Sequence, residues 1–159
     1  WVYVTQTTEG LETDAQGWIP LFQLSDKSSM FVDFSSGVFA YLAGDFVDAD
    51  KLFASVAEQS KGLPAYDSTL LTGIARARCG SNGTGTLEKA LAMNPYSRYA
   101  AQALVMAYIS QAKVANGDLR SKYAEQTIDI LDKYSILFDA GDPWLDSAYR
   151  LAKEYHSKF

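Results

Sequence analysis

Apolar side chains return every three or four residues through most of the chain after residue 28. In the richest stretch, Ala49 and Phe53 follow Phe46 by three and seven residues. Such intervals place side chains on one face of a helix. The pattern breaks at Gly44, which suits a helix end because a residue without a Cβ turns left-handed at low cost. We therefore predict two helices joined by a short turn, the second from about 47 to 59 and ended by Gly62, Leu63 and Pro64.

The same periodicity, together with helix-end signals, predicts five further helices. One begins at Asp67 or Ser68, three run from about 86 to 93, 97 to 114 and 123 to 137, and the last opens at Asp142. Asn94 and Pro95 end the short helix, because the residue before a proline disfavours helical geometry. Pro143 lies in a first turn, where its missing N–H costs nothing. The chain after residue 28 is therefore predicted to be mostly α.

The first 24 residues have a different pattern. β-Branched and aromatic side chains alternate from Trp1 to Gln6, and a second apolar run covers 17 to 22. This pattern predicts two short strands. A lone hairpin is marginal in water, so we expect it to lean on another part of the protein. We divide the chain into a β-hairpin or extended arm over 1–26 and a helical domain over 28–159.

The helical pattern resembles the tetratricopeptide repeat, a pair of antiparallel helices closed on a short turn. Gly37 and Ala49 stand where the two helices of this family pass closest, and Phe53 stands where an aromatic ring fills the remaining space. A second repeat, from Gly73 to Ala90, is two residues shorter than the first over the corresponding positions. The resemblance implies that the small residues permit a close helix crossing.

A third repeat carries Tyr108, Ala124 and Ile128 at the family's spacing, with about four residues inserted. The segment after Asp142 resembles the solvating helix that often closes such arrays. Over about 29–159 the resemblance implies an α-solenoid of three degenerate helix hairpins plus a C-terminal closing helix.

The segments WVYV and GWIPLFQL, within residues 1–24, are similar to the closing hairpin of a bacterial SH3-like domain. The alternative is an N-terminal arm packed on the helices. The SH3-like resemblance suits a bacterial envelope protein, so the envelope or periplasm is favoured over the cytoplasm. The chain opens at Trp1 without an initiator methionine, and we expect it to be a mature or excised piece of a longer protein.

Composition argues against several classes of function. A net charge of −5 argues against a nucleic-acid partner, because phosphate binding needs a basic face. No apolar run approaches the roughly 18 residues of a transmembrane helix. Cys79 is the single cysteine, so an internal disulfide and a cysteine zinc site are excluded. His156, the single histidine, has no oriented partner nearby. We predict no catalytic residue, no cofactor, no metal site and no enzymatic activity.

The remaining candidate for a functional site is a binding surface, because in tetratricopeptide arrays the first helix of each repeat lines a concave groove. Aligning the repeats gives eight predicted partner-binding residues: Phe34, Val38, Tyr41, Ile74, Arg78, Tyr99, Gln102 and Met106. The Lys/Asn/Arg clamp with which some family members grip a C-terminal carboxylate is absent. The groove is apolar and aromatic, which fits a hydrophobic peptide, a helix of a partner, or the protein's own N-terminal arm.

We therefore expect a non-enzymatic scaffold or adaptor that binds a protein or peptide partner in this groove. The competing hypothesis is an accessory or regulatory domain of a larger enzyme, whose catalytic part lies upstream of Trp1. A third hypothesis is a structural or oligomerising module. The sequence upstream of Trp1 would separate the first two, and concentration-dependent light scattering would reveal the third.

Overall fold

A computed structural model of the protein describes residues 2–6, 15–19 and 29–156. Two strands, β1 (Val2–Gln6) and β2 (Ala15–Ile19), pair in antiparallel fashion, with Val2 opposite Ile19 and Gln6 opposite Ala15. The rest of the described chain is helical, which confirms the prediction of a mostly α protein. Residues 20–22, where the second strand was predicted to end, lie outside the described residues.

The described residues form seven α-helices. They are α1 (Ser29–Ala43), α2 (Phe46–Gln59), α3 (Leu63–Arg78), α4 (Thr84–Met93), α5 (Arg98–Val114), α6 (Gly117–Tyr134) and α7 (Pro143–His156), with a 3-10 turn at Ser135–Leu137 after α6. Each helix packs against the next one along the chain, and α5 also contacts α3 and α7. Tertiary contacts therefore join mainly consecutive helices.

Three predicted helix starts are wrong. Helix α3 begins at Leu63 rather than at Asp67 or Ser68, because Gly62 turns the chain at φ 65° and Pro64 enters the first turn instead of ending the previous helix. Helix α4 begins two residues before the predicted start, and α6 begins at Gly117 instead of 123. At the starts of α3 and α6 a glycine with positive φ, Gly62 or Gly117, outweighs the apolar spacing. At the start of α4 the Asn82 side-chain oxygen accepts hydrogen bonds from the backbone N–H and the hydroxyl of Thr84.

Two glycines let neighbouring helices approach closely. A Cβ placed on Gly37 of α1 would lie 2.8 Å from Cε1 of Phe53 in α2. A Cβ on Gly73 of α3 would lie 2.6 Å from Cγ of Leu87 in α4. Phe53 and Leu87 are fully buried, so each fills the space that its glycine leaves open. Gly44 adopts φ 84° directly after α1, as predicted for a helix-ending glycine.

The core of the described residues is divided into clusters between neighbouring helices. They are centred on Phe53 between α1, α2 and α3, on Leu87 and Leu104 in α4 and α5 with contacts from α3, α6 and α7, and on Val105 and Leu131 between α5, α6 and α7. Each of α1, α3, α5 and α7 also carries side chains that are exposed or only partly buried, among them Tyr41, Arg78, Met106 and Trp144.

Candidate functional site

A groove with a volume of about 440 Å³ lies between α1, α3, α5 and α7. Helix α1 contributes Tyr41, α3 contributes Ile74, Ala77 and Arg78, α5 contributes Gln102, Ala103, Met106, Ala107 and Ser110, and α7 contributes Trp144. Successive lining residues of α5 are one or three positions apart in the chain, so they lie on a single helix face. Alternate helices of the chain therefore line one surface.

Small residues open the groove, and large ones border it. Ala77, Ala103 and Ala107 carry only a methyl group, so they leave space where α3 and α5 meet. Met106 is 47% exposed, and its unbranched thioether side chain can adapt to apolar groups of different shape. The lining is mostly apolar, and its neutral hydrogen-bonding groups belong to Tyr41, Gln102, Ser110 and Trp144. Such a surface is typical of sites that bind apolar side chains with a few oriented polar contacts.

Arg78 is the one charged residue among those that line the groove. Its guanidinium carbon lies 5.0 Å from the ring centroid of Phe46, and the Phe46 ring packs edge-on against Tyr41 at 5.2 Å. Arg78 takes part in none of the ion pairs found among the described residues. The aromatic contact therefore holds a positive charge at the α3 side of the groove, and no carboxylate of the lining neutralises it.

Trp144 is held in place by the chain that precedes α7. The Phe138 ring stacks on Trp144 with centroids 5.3 Å apart and planes 13° apart, and the Arg98 guanidinium lies 5.2 Å from the Phe138 centroid. Arg98 also pairs with Asp142, whose carboxylate accepts a hydrogen bond from the backbone N–H of Trp144 at 2.9 Å. The stack on Phe138 orients the indole ring, and the hydrogen bond to Asp142 holds the backbone that carries it.

Five of the eight predicted groove residues line this groove: Tyr41, Ile74, Arg78, Gln102 and Met106. Phe34 and Val38 are not part of its lining; like Tyr41 they pack on the core cluster around Phe53, where the Phe34 and Phe53 rings meet edge to face at 5.7 Å. Tyr99 is 76% exposed and lies outside the groove lining. The sequence reasoning missed Trp144 because it gave the last helix only a solvating role.

A second, larger cavity of about 650 Å³ lies between α4, α5, α6 and the 3-10 turn. Glu88 in its lining accepts a hydrogen bond from the Tyr108 hydroxyl. The Lys133 ammonium lies 5.2 Å from the Tyr134 centroid, a contact of the same kind as that of Arg78, and takes part in none of the ion pairs found among the described residues. Ile136 at its edge is 88% exposed. The two charges of this lining have opposite signs, so the cavity has no net charge that would select an ionic ligand.

The described residues hold no group of three or more His, Cys, Asp or Glu side chains arranged to bind a metal ion. His156 is exposed, with Nδ1 3.0 Å from the Ser121 Oγ. Cys79 is half-buried at the end of α3, and its Sγ lies 3.3 Å from the Arg76 carbonyl oxygen. Within 29–156, none of the helices has the length and apolar character needed to cross a bilayer.

Comparisons of the chain with protein-family models, with curated proteins and with solved structures find no match.

Proposed function

We propose that residues 28 to 159 form a tetratricopeptide-like α-solenoid that acts as a non-enzymatic adaptor. Two features support this arrangement: consecutive helices pack in chain order, and Gly37 and Gly73 each stand at a close crossing with the next helix. Helices α1 to α6 then form three helix hairpins, and α7 closes the array. The proposed activity is binding of a segment of a partner protein in the groove between α1, α3, α5 and α7.

One observation carries the proposal: groove positions that were chosen from repeat spacing alone converge on one surface with Trp144. Tyr41, Ile74 and Met106 belong to three different helices and are more than 30 residues apart in the chain, yet they line the same groove. A mostly apolar surface of this kind suits an amphipathic helix or an extended peptide whose apolar side chains enter it.

The test is a selection of random twelve-residue peptides displayed on phage against the purified protein. Enriched peptides should bind the parent protein and lose at least tenfold in affinity for Met106→Arg, which places a charge in the groove. Ile136→Arg is the matched control, because it makes the same replacement at an exposed apolar residue of the other cavity.

If the peptides lose affinity for Ile136→Arg but not for Met106→Arg, the binding site is the cavity between α4 and α6 and not the groove. Circular dichroism melts of both variants must match the parent, since Met106 is 47% exposed and its replacement should not unfold the protein.

A further inference from the structure

We infer that the partner segment carries a side-chain carboxylate that pairs with Arg78, together with an apolar side chain that packs near Met106 and Trp144. This inference rests on the proposed function of the groove and adds the chemistry of its ligand. It makes recognition depend on one acidic and one apolar residue of the partner.

The charge distribution of the groove supports this choice. The residues that line it include the Arg78 guanidinium and no carboxylate, although the whole chain carries a net charge of −5. A concave, mostly apolar site strengthens the field of a charge inside it, so the Arg78 guanidinium attracts an anion. One cation in the lining of a protein with a net negative charge matches a single carboxylate better than a polyanion.

The geometry of Arg78 also suits a carboxylate. The Phe46 ring is 5.0 Å from the guanidinium carbon, a contact that orients the side chain without using a carboxylate partner. A planar guanidinium presents its N–H groups as a fork that matches the two oxygens of a carboxylate. The side chain is thus partly ordered before binding, so less conformational entropy is lost when the ion pair forms.

Both anchors belong to one groove. Helix α5 packs against both α3, which carries Arg78, and α7, which carries Trp144, and residues of all three helices line the groove of about 440 Å³. One bound segment can therefore contact Arg78 and the side of the groove near Met106 and Trp144 together. We expect the acidic residue and the apolar anchor to lie on a single short segment of the partner.

The test compares the sequences of phage-displayed peptides that are selected separately on the parent protein, on Arg78→Glu and on Arg150→Glu. The last variant is the matched control, because Arg150 is exposed on α7 outside the groove and its reversal changes the net charge equally. We expect Asp or Glu near an apolar residue in peptides from the parent and from Arg150→Glu. Arg78→Glu should enrich Lys or Arg at the same position.

Fluorescence anisotropy with one synthetic enriched peptide then measures the pairing. Replacing its acidic residue with the amide should weaken binding to the parent at least fivefold and should change binding to Arg78→Glu less than twofold. Enriched peptides that lack an acidic residue but respond to Met106→Arg would overturn the carboxylate inference and leave the proposed function standing. If no enriched peptide responds to Met106→Arg, both are overturned.

Discussion

The close crossing of α3 and α4 gives the sharpest test of the fold. In Gly73→Ala, the added methyl carbon would lie 2.6 Å from Cγ of Leu87, 2.7 Å from its Cδ2 and 3.2 Å from its backbone nitrogen. Favourable carbon–carbon contacts lie at about 3.5–4.0 Å, so the two helices would have to separate by roughly 1 Å. Leu87 is fully buried, so moving its side chain would displace the core residues that surround it.

Two effects of opposite sign determine the stability of Gly73→Ala. Overpacking a well-filled contact costs about 1–3 kcal/mol, whereas replacing glycine with alanine in a helix gains up to about 1 kcal/mol. A second variant, Gly85→Ala in α4, separates the two effects, because a Cβ on Gly85 meets nothing within 4 Å. Gly85→Ala retains the gain without the clash. The free energy of unfolding of Gly73→Ala should therefore fall about 1–3 kcal/mol below that of Gly85→Ala.

Urea denaturation followed by far-ultraviolet circular dichroism measures this difference. A double-mutant cycle with Leu87→Ala identifies its cause. Leu87→Ala alone should cost about 2–5 kcal/mol, but in that background Gly73→Ala should be neutral or stabilising, because the new methyl group enters the cavity. If the two substitutions are additive, or if Gly73→Ala is as stable as Gly85→Ala, the close approach of α3 and α4 is refuted.

Two further predictions concern buried polar groups of α3. Ser68 is fully buried, and its hydroxyl has no hydrogen-bond partner among the described residues. Ser68→Ala should therefore raise the free energy of unfolding by roughly 1 kcal/mol more than Ser110→Ala, the same replacement at an exposed position. A lower melting temperature for Ser68→Ala would contradict this. Burial raises the pKa of the Asp67 carboxyl above its ordinary value of 3.8, so the charged form costs stability at neutral pH and the cost disappears as pH falls below that value. Asp67→Asn should therefore raise the melting temperature at pH 7, with a smaller gain near pH 4, and an equal gain at both pH values would contradict this.

Features determined by local chemistry could be predicted from the sequence. Gly44 ends α1 with a left-handed backbone, and Asp142 accepts the Trp144 N–H at the start of α7, as the turn glycine and the Asp-Pro pair indicate. Pro64 was misassigned because proline can either follow a helix or occupy its first turn, and periodicity alone does not separate these two cases. The structure resolves the ambiguity through Gly62, whose positive φ places the turn before Pro64.

Features determined by tertiary packing could be predicted only in part. Repeat spacing, which can be read from the amino-acid sequence alone, predicted that Tyr41, Ile74 and Met106 line the groove. Phe34 sits on the same helix face as Tyr41 by that spacing, yet its ring packs against Phe53 because Gly37 leaves room for Phe53 to reach α1. Tyr41 packs on the same cluster and also lines the groove, so repeat spacing alone does not separate the α1 residues that reach the groove from those that do not.

Helix α7 links the stability of the protein to the shape of its groove. Ala148 and Ala152 are buried against α5 and α6, whereas Trp144, one or two turns earlier, borders the groove. A replacement of Trp144 would remove its stack on Phe138 as well as a wall of the groove, so lost binding would not distinguish a missing contact from a displaced helix. Met106 lacks this ambiguity, because it is exposed on α5 and belongs to none of the core clusters. The groove is therefore best tested through Met106 and Arg78, whose side chains face solvent while the helices that carry them are held by buried neighbours.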